Sequence, residues 1–289
     1  MENGMKRRDG RKIKSLDPFM RVVPHVMRER SDSMIMFQED FVCDGMDAYI
    51  KEKKAEGIKV TYIDIVAAGI VRMLALMPSL NRFIMNGRVY ARNNISFSYA
   101  LQKDLKGGSS ETTIKLEFAG TETLMEVRDK IQAAADEVTK TKGTVDTETD
   151  KVAAILAKLP DWLFKFAVTI LMWMDKHNCL PKMVMDASPF HTSFFITNMK
   201  SLGINYVFHH VYNFGTAGIF IGLGKDKTKV VADLDDQPEV RKMLPLGVVI
   251  DERFAEGLDW AKGMKQLKRL LRDPHMLDKP IEKKNEDID

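Results

Sequence analysis

The chain has 289 residues, 45% of them apolar, which is ample for a large core in one big domain or two small ones. Its 44 basic and 41 acidic residues leave a net charge of +3, a balance that gives no reason to expect nucleic acid as a partner. The two cysteines, Cys43 and Cys179, make neither a disulfide framework nor a zinc site. No metal is expected, and the thiols fit a reducing, cytoplasmic setting.

Residues 1–14 hold Lys6, Arg7, Arg8, Arg11, Lys12 and Lys14 and read as a solvated basic tail; 276–289 read as a charged tail. The amino terminus lacks the apolar stretch of a signal peptide. Met34–Cys43 reads as a strand, and Asp44–Glu56 as a helix ended by Gly57. Thr61-Tyr62-Ile63-Asp64 has capping-box form, and the apolar run Ile65–Met77 behind it stops before Pro78, which bounds a second helix. Asn86-Gly87 supplies the two φ > 0 residues of a type I′ turn, so Phe83–Met85 and Arg88–Arg92 read as a hairpin. Ile95–Leu101 and Thr112–Phe118 alternate like half-buried strands around the flexible Gly107-Gly108-Ser109-Ser110.

Thr121–Lys140 reads as a helix with Leu124, Val127, Ile131, Ala134 and Val138 on one face. Helical character returns from Thr149 to about His177, interrupted near Pro160. The apolar run Trp162–Met174, broken by Lys165, is too short to span a bilayer. Ser193–Asn198, Tyr206–Tyr212, Ile219–Leu223, Lys229–Leu234 and Leu246–Ile250 follow as closely spaced strands. A final helix places Leu258, Ala261, Met264, Leu267 and Leu270 on one face and ends at Asp273-Pro274. This order predicts a two-layer α/β domain, a mixed and largely antiparallel sheet covered by helices. Gly222-Leu223-Gly224 ends a strand and opens no helix, so no nucleotide-binding fingerprint is present.

Several segments together carry a resemblance. Lys59–Asn81 with its Pro-Ser-Leu-Asn, the hairpin at Asn86-Gly87, Phe194–Gly203 (FFITNMKSLG) and Leu244–Pro274 (LPLGVVIDERFAEG…LRDP) are similar, in order and spacing, to the catalytic domain of the 2-oxoacid dehydrogenase dihydrolipoyl acyltransferases, in the chloramphenicol acetyltransferase-like superfamily. The similarity covers most of 15–275 and implies a homotrimer with active sites at subunit boundaries. It also implies an acyl-coenzyme A and a thiol acceptor entering from opposite ends of a channel. The stretch of about 144–186 is longer than the family's connection and reads as an apolar helical insertion: packing, a lid, or a membrane-surface patch.

Acyl transfer from a thioester to a thiol needs a base for the thiol proton and a donor for the tetrahedral oxyanion. The resemblance places the base in Asp-His-Arg-x-x-Asp-Gly and the donor on a Ser or Thr hydroxyl. Here the motif reads Asp251-Glu252-Arg253-Phe254-Ala255-Glu256-Gly257, so Glu252 stands where the family keeps histidine and Glu256 where it keeps the second acid; the donor position is Thr197. Reference pKa values of about 4.3 for Glu and about 6.5 for His make the carboxylate weaker by roughly 3 kcal/mol of proton affinity. Burial raises a carboxyl, whereas an arginine partner lowers it. The plainer expectation is that Glu252 pairs with a cation and does no chemistry. Glu256 and Arg253 are expected as structural supports.

Substitute histidines are His209 and His210, on opposite faces of the predicted strand, and His191; an ordinary hydrogen-bonded role is the plainer expectation for each. Glu148-Thr149-Asp150-Lys151 is similar to a lipoylation sequence, but Lys151 leads into a helical pattern, so no lipoyl attachment is expected. Two functions follow: a coenzyme A-dependent acyltransferase with an altered base, handling a small thioester and thiol, or a non-catalytic trimeric binding homologue. A third, weaker reading is a membrane-peripheral protein acting through 162–174.

Overall fold

Alternation along the strands sorts the side chains of a seven-stranded sheet onto two faces. The computed structural model describes residues 7–102, 111–140, 154, 157–232 and 235–289. The strands are β2 (Met34–Val42), β5 (Ile95–Gln102), β6 (Glu111–Phe118), β7 (Phe194–Asn198), β8 (Ile219–Leu223), β9 (Lys227–Ala232) and β10 (Pro238–Asp251). Their order is β2-β10-β8-β7-β5-β6, with β9 also on β10. Only β5–β7 and β7–β8 are parallel, so the sheet is mixed and largely antiparallel as the sequence predicts.

Three helices cover one face: α3 (Tyr62–Leu76), α4 (Leu124–Lys140) and α7 (Gly257–Arg272). Phe97, Phe194, Ile196, Ile221 and Val248 meet them in the main core. α3 is buried nearly all round, and its capping box forms as read: Asp64 Oδ2 accepts from Thr61 N–H at 2.8 Å and from the Thr61 hydroxyl at 2.7 Å. The predicted face of α7 is corrected at its start. Leu258 and Ala261 face solvent, while Trp260, Gly263, Met264, Leu267, Leu270 and Leu271 are buried. The apolar stripe runs i, i+3, i+4 from Trp260, not from Leu258.

A second, three-stranded sheet has the order β1-β4-β3, from β1 (Gly10–Lys12), β3 (Arg82–Met85) and β4 (Arg88–Arg92). Asn86 (φ 50°) and Gly87 (φ 69°) make the predicted turn between β3 and β4. β1 corrects the reading of 1–14 as a loose tail. Gly10–Lys12 pair with Tyr90–Arg92, and Arg7 is buried. The 276–289 tail is also packed, because Arg82 grips the Asp287 carboxylate through Nε at 2.7 Å and Nη2 at 2.6 Å, and Asn285 N–H donates to Ala75 O at 2.8 Å. In each segment one charge is drawn into a shielded ion pair, Arg7 with Asp175 and Asp287 with Arg82, while Arg8, Arg11, Lys12, Lys14, Glu282, Lys283 and Glu286 stay exposed.

The other helices are α1 (Pro18–Val26), α2 (Asp44–Ala55), α5 (Asp161–Lys176) and α6 (Lys182–Ala187). α5 and α6 are the described part of the insertion; Lys151 and the 107–110 loop lie outside the described residues. Tyr206–Tyr212, expected as a strand, is irregular and crosses the outer face of the sheet. Both edges of β8 are already taken by β7 and β10, so no ladder is open to it there. Glycines admit its backbone instead: a Cβ on Gly222 would lie 2.6 Å from Val207 O, and one on Gly247 2.7 Å from it.

Candidate active site

The motif that ends β10 is built around one buried acid. Asp251, fully buried, lies on the sheet's outer face in step with Val249. Its Oδ1 accepts from Arg253 Nε at 2.8 Å, from the Ser33 hydroxyl at 3.1 Å and from Arg253 N–H at 3.2 Å. Its Oδ2 accepts from Arg253 Nη2 at 2.7 Å and has Arg30 Nε at 3.4 Å. Arg253 also donates to Met27 O at the end of α1, at 3.1 Å. Arg30 donates to Ile84 O at 3.2 Å and to Tyr212 O. Burial lowers the Arg30 guanidinium from its ordinary value; Asp251 opposes that and Arg253 adds to it. One carboxylate thus balances two buried guanidiniums and ties β10 to α1, β3 and the 212 loop.

This arrangement holds residue 252 at the end of a rigid frame. Glu252 is half-buried, and its N–H donates to Ser33 O at 3.1 Å. The expected cation does not pair with it: Arg253 is engaged by Asp251, and among the described residues the Glu252 carboxylate has no ion pair or hydrogen bond. Arg253 is a structural support as expected; Glu256 is not one through its side chain. Glu256 is the exposed N-cap of α7, without a side-chain cap bond, and only its carbonyl is used, by Asp259 N–H at 3.0 Å and Trp260 N–H at 3.2 Å.

Thr197 lies near the end of β7, 9% exposed, on the outer face that also carries Phe195. Its register partner is Gly222, and that of Gly222 is Gly247. From Gly247 to residue 252 is about 16 Å along β10, and two strand spacings add about 10 Å sideways, so Thr197 and Glu252 of one chain are roughly 19 Å apart. A single chain does not bring the two together.

Of the histidines, His209 is half-buried and stacks on Phe220 at 4.2 Å, with Nδ1 3.0 Å from His210 O. It shares the outer face with Thr197, since Phe220 pairs with Phe195. His210 is exposed, edge-on to Tyr212 at 5.1 Å. His191 is buried away from the outer-face site. Its Nδ1 lies 2.8 Å from the Ser188 hydroxyl, and its Nε2 is 3.2 Å from Asp175 Oδ2, an electrostatic contact without hydrogen-bond alignment. Burial pushes the Asp175 carboxyl up, but His191 and then Arg7 outweigh it and hold it below the usual range. Arg7 donates to Asp175 Oδ1 at 2.9 Å. This buried Arg7–Asp175–His191 cluster pins the end of α5 to the domain.

Sequence reasoning missed Arg30 and Ser33, which complete the Asp251 frame from about 220 residues away; no local pattern marks them. It also missed a cavity of about 510 Å³ between α1 and the β3–β4 turn. Lys12, Arg21, His25 and Arg88 line it over Ile13 and Val22, and no acid is among its lining residues. Among the described residues no group of His, Cys, Asp and Glu is placed to hold a metal.

Comparison with known proteins identifies the class of fold first. A dihydrolipoamide acetyltransferase of Listeria monocytogenes, described as probable, superposes with a TM-score of 0.56 at 16% identity, over 91% of this chain and 94% of that one. The cubic core of a pyruvate dehydrogenase multienzyme complex gives 0.57 at 14%, over 92% and 94%. Chloramphenicol acetyltransferase gives 0.54 at 10%, over 91% and 99%. The chain therefore has the chloramphenicol acetyltransferase-like α/β fold of these acyltransferase cores. Residues 190–278, which contain both Thr197 and the Asp251–Gly257 motif, match the family model of the 2-oxoacid dehydrogenases acyltransferase (catalytic domain). The match is to this segment, and the solved structures show the fold of the whole. No curated protein sequence matches it.

Proposed function

We propose that the chain is a coenzyme A-dependent acyltransferase in which Glu252 replaces histidine as base and the active site is completed between two chains of a homotrimer. The observation that carries this reading is the Asp251 frame. Asp251 and Arg253 of the motif are locked together, and the side chain between them is a carboxylate that no cation among the described residues pairs with. The same cluster that ties β10 to α1, β3 and the 212 loop fixes the backbone at residue 252, so that carboxylate stands at the end of a rigid frame.

In this reading the thiol proton passes to Glu252 as the sulfur attacks the thioester carbonyl. Thr197 of a neighbouring chain donates its hydroxyl hydrogen to the oxyanion; its hydroxyl makes no hydrogen bond among the described residues. The intermediate collapses, the carbon–sulfur bond to coenzyme A breaks, and the leaving thiolate takes the proton back from Glu252. The roughly 19 Å between Thr197 and Glu252 within one chain supports a boundary site. The cavity of about 510 Å³, lined by cations and apolar groups and no acid, suits a phosphorylated carrier with an apolar arm. His209, stacked and half-buried on the Thr197 face, is a positioning residue at most.

The test is acetyl transfer from acetyl-coenzyme A to dihydrolipoamide, in the wild type and in Glu252→Gln. Transfer in the first and its loss, by about two orders of magnitude, in the second supports the reading. Full activity in Glu252→Gln excludes Glu252 as base, and no transfer in the wild type leaves the non-catalytic trimeric homologue.

A further inference from the structure

α5 turns a face to solvent that the other described residues leave uncovered. At 100° per residue, Trp162, Phe166, Ile170 and Trp173 fall within one 80° sector of the helix. They are 72%, 58%, 39% and 57% exposed. On the opposite sector Ala167, Leu171 and Met174 are half-buried and Phe164 is 40% exposed, while Asp175 is buried and the Arg7–Asp175–His191 cluster fixes this end of the helix to the body. The exposed sector is therefore held outward by buried charges, not left loose.

Its rim names the partner. Lys165 and Lys176 flank the apolar sector along one side and are exposed; Lys158 precedes the helix and is also exposed. The exposed acid of α5 is Asp161, at its first residue, and Asp175 is buried. Tryptophans near both ends of one apolar face, with lysines beside it, match an interfacial helix, where indoles sit at the headgroup level and ammonium groups reach anionic lipid. At 16 residues α5 lies along a surface, and among the described residues no helix is long and apolar enough to cross a membrane.

We propose that α5 is a membrane-surface helix that seats the protein on anionic lipid through Trp162, Phe166, Ile170 and Trp173, with Lys165 and Lys176 at the headgroups. This placement is independent of Glu252 and of any acyl transfer. The experiment is co-sedimentation of the full chain with vesicles of phosphatidylglycerol and phosphatidylcholine, and with phosphatidylcholine alone, alongside tryptophan emission. The chain has three tryptophans, and the third, Trp260, is buried, so Trp162 and Trp173 dominate any change. Binding to the anionic vesicles with a blue shift is expected, weakened about tenfold on phosphatidylcholine alone or in Lys165→Glu/Lys176→Glu, and abolished in Trp162→Ser/Trp173→Ser. No binding to anionic vesicles overturns the proposal, as does undiminished binding of the Trp162→Ser/Trp173→Ser variant. Emission already blue-shifted and resistant to acrylamide without lipid also overturns it, in favour of a second protein chain on this face.

Discussion

Asp251→Asn isolates the physical core of the site. Asparagine keeps the shape of the side chain but removes the one negative charge that faces two guanidiniums. The side chains of Asp251, Arg253 and Arg30 are 0%, 2% and 3% exposed, so solvent does not replace that charge. The amide also turns one acceptor oxygen into a donor, against Arg253 at 2.7 or 2.8 Å. Removing one partner of a buried ion pair costs about 3–5 kcal/mol, and two stranded cations place this case toward the upper end. The measurement is urea unfolding at pH 7, with the midpoint falling at unchanged slope. Adding Arg253→Met to Asp251→Asn is expected to recover part of the loss, because Arg30 alone then remains unpaired. A loss for Asp251→Asn below about 1 kcal/mol, the range of surface pairs, refutes the argument that this acid organises the motif.

Asp175→Asn is expected to loosen α5 and to lower stability at neutral pH. Because His191 and Arg7 hold the folded carboxyl below its usual value, its contribution is full above the unfolded value near ~3.9 and is lost as pH falls through the lower folded one. The gap between wild-type and variant unfolding midpoints therefore closes between about pH 5 and the depressed folded value, and a gap independent of pH contradicts this. Arg21→Glu/Arg88→Glu reverses two charges at the rim of the 510 Å³ cavity, and KM for acetyl-coenzyme A is expected to rise about tenfold with kcat nearly unchanged. An unchanged KM removes the cavity from the site.

Local patterns revealed the fold where local chemistry decides it. Thr61 and Asp64 bond each other, Asn86-Gly87 sets its own turn, and β5 and β6 alternate as written. The misreadings came from contacts distant in sequence. Tyr206–Tyr212 alternates like a strand, but its place is set by Gly222 and Gly247, which let its backbone cross a sheet whose local edges are filled. The basic run at 7–12 looks solvated until Asp175, about 168 residues on, buries Arg7. At the site, the motif frame was legible residue by residue, yet the partner of Arg253 was not. Arginine beside two acids chooses Asp251 because β10 buries that carboxylate and leaves Glu252 beyond the strand's end.

The central claim is that Glu252 and Thr197 act together from different chains. It is tested by co-assembling Glu252→Gln with Thr197→Ala, each inactive by itself, and measuring acetyl transfer. In a randomly mixed trimer about a quarter of the boundaries hold both native groups, so about a quarter of wild-type activity is expected. No activity in mixed trimers, with each variant folded, contradicts the account, because two groups of one chain are never both native in such a mixture.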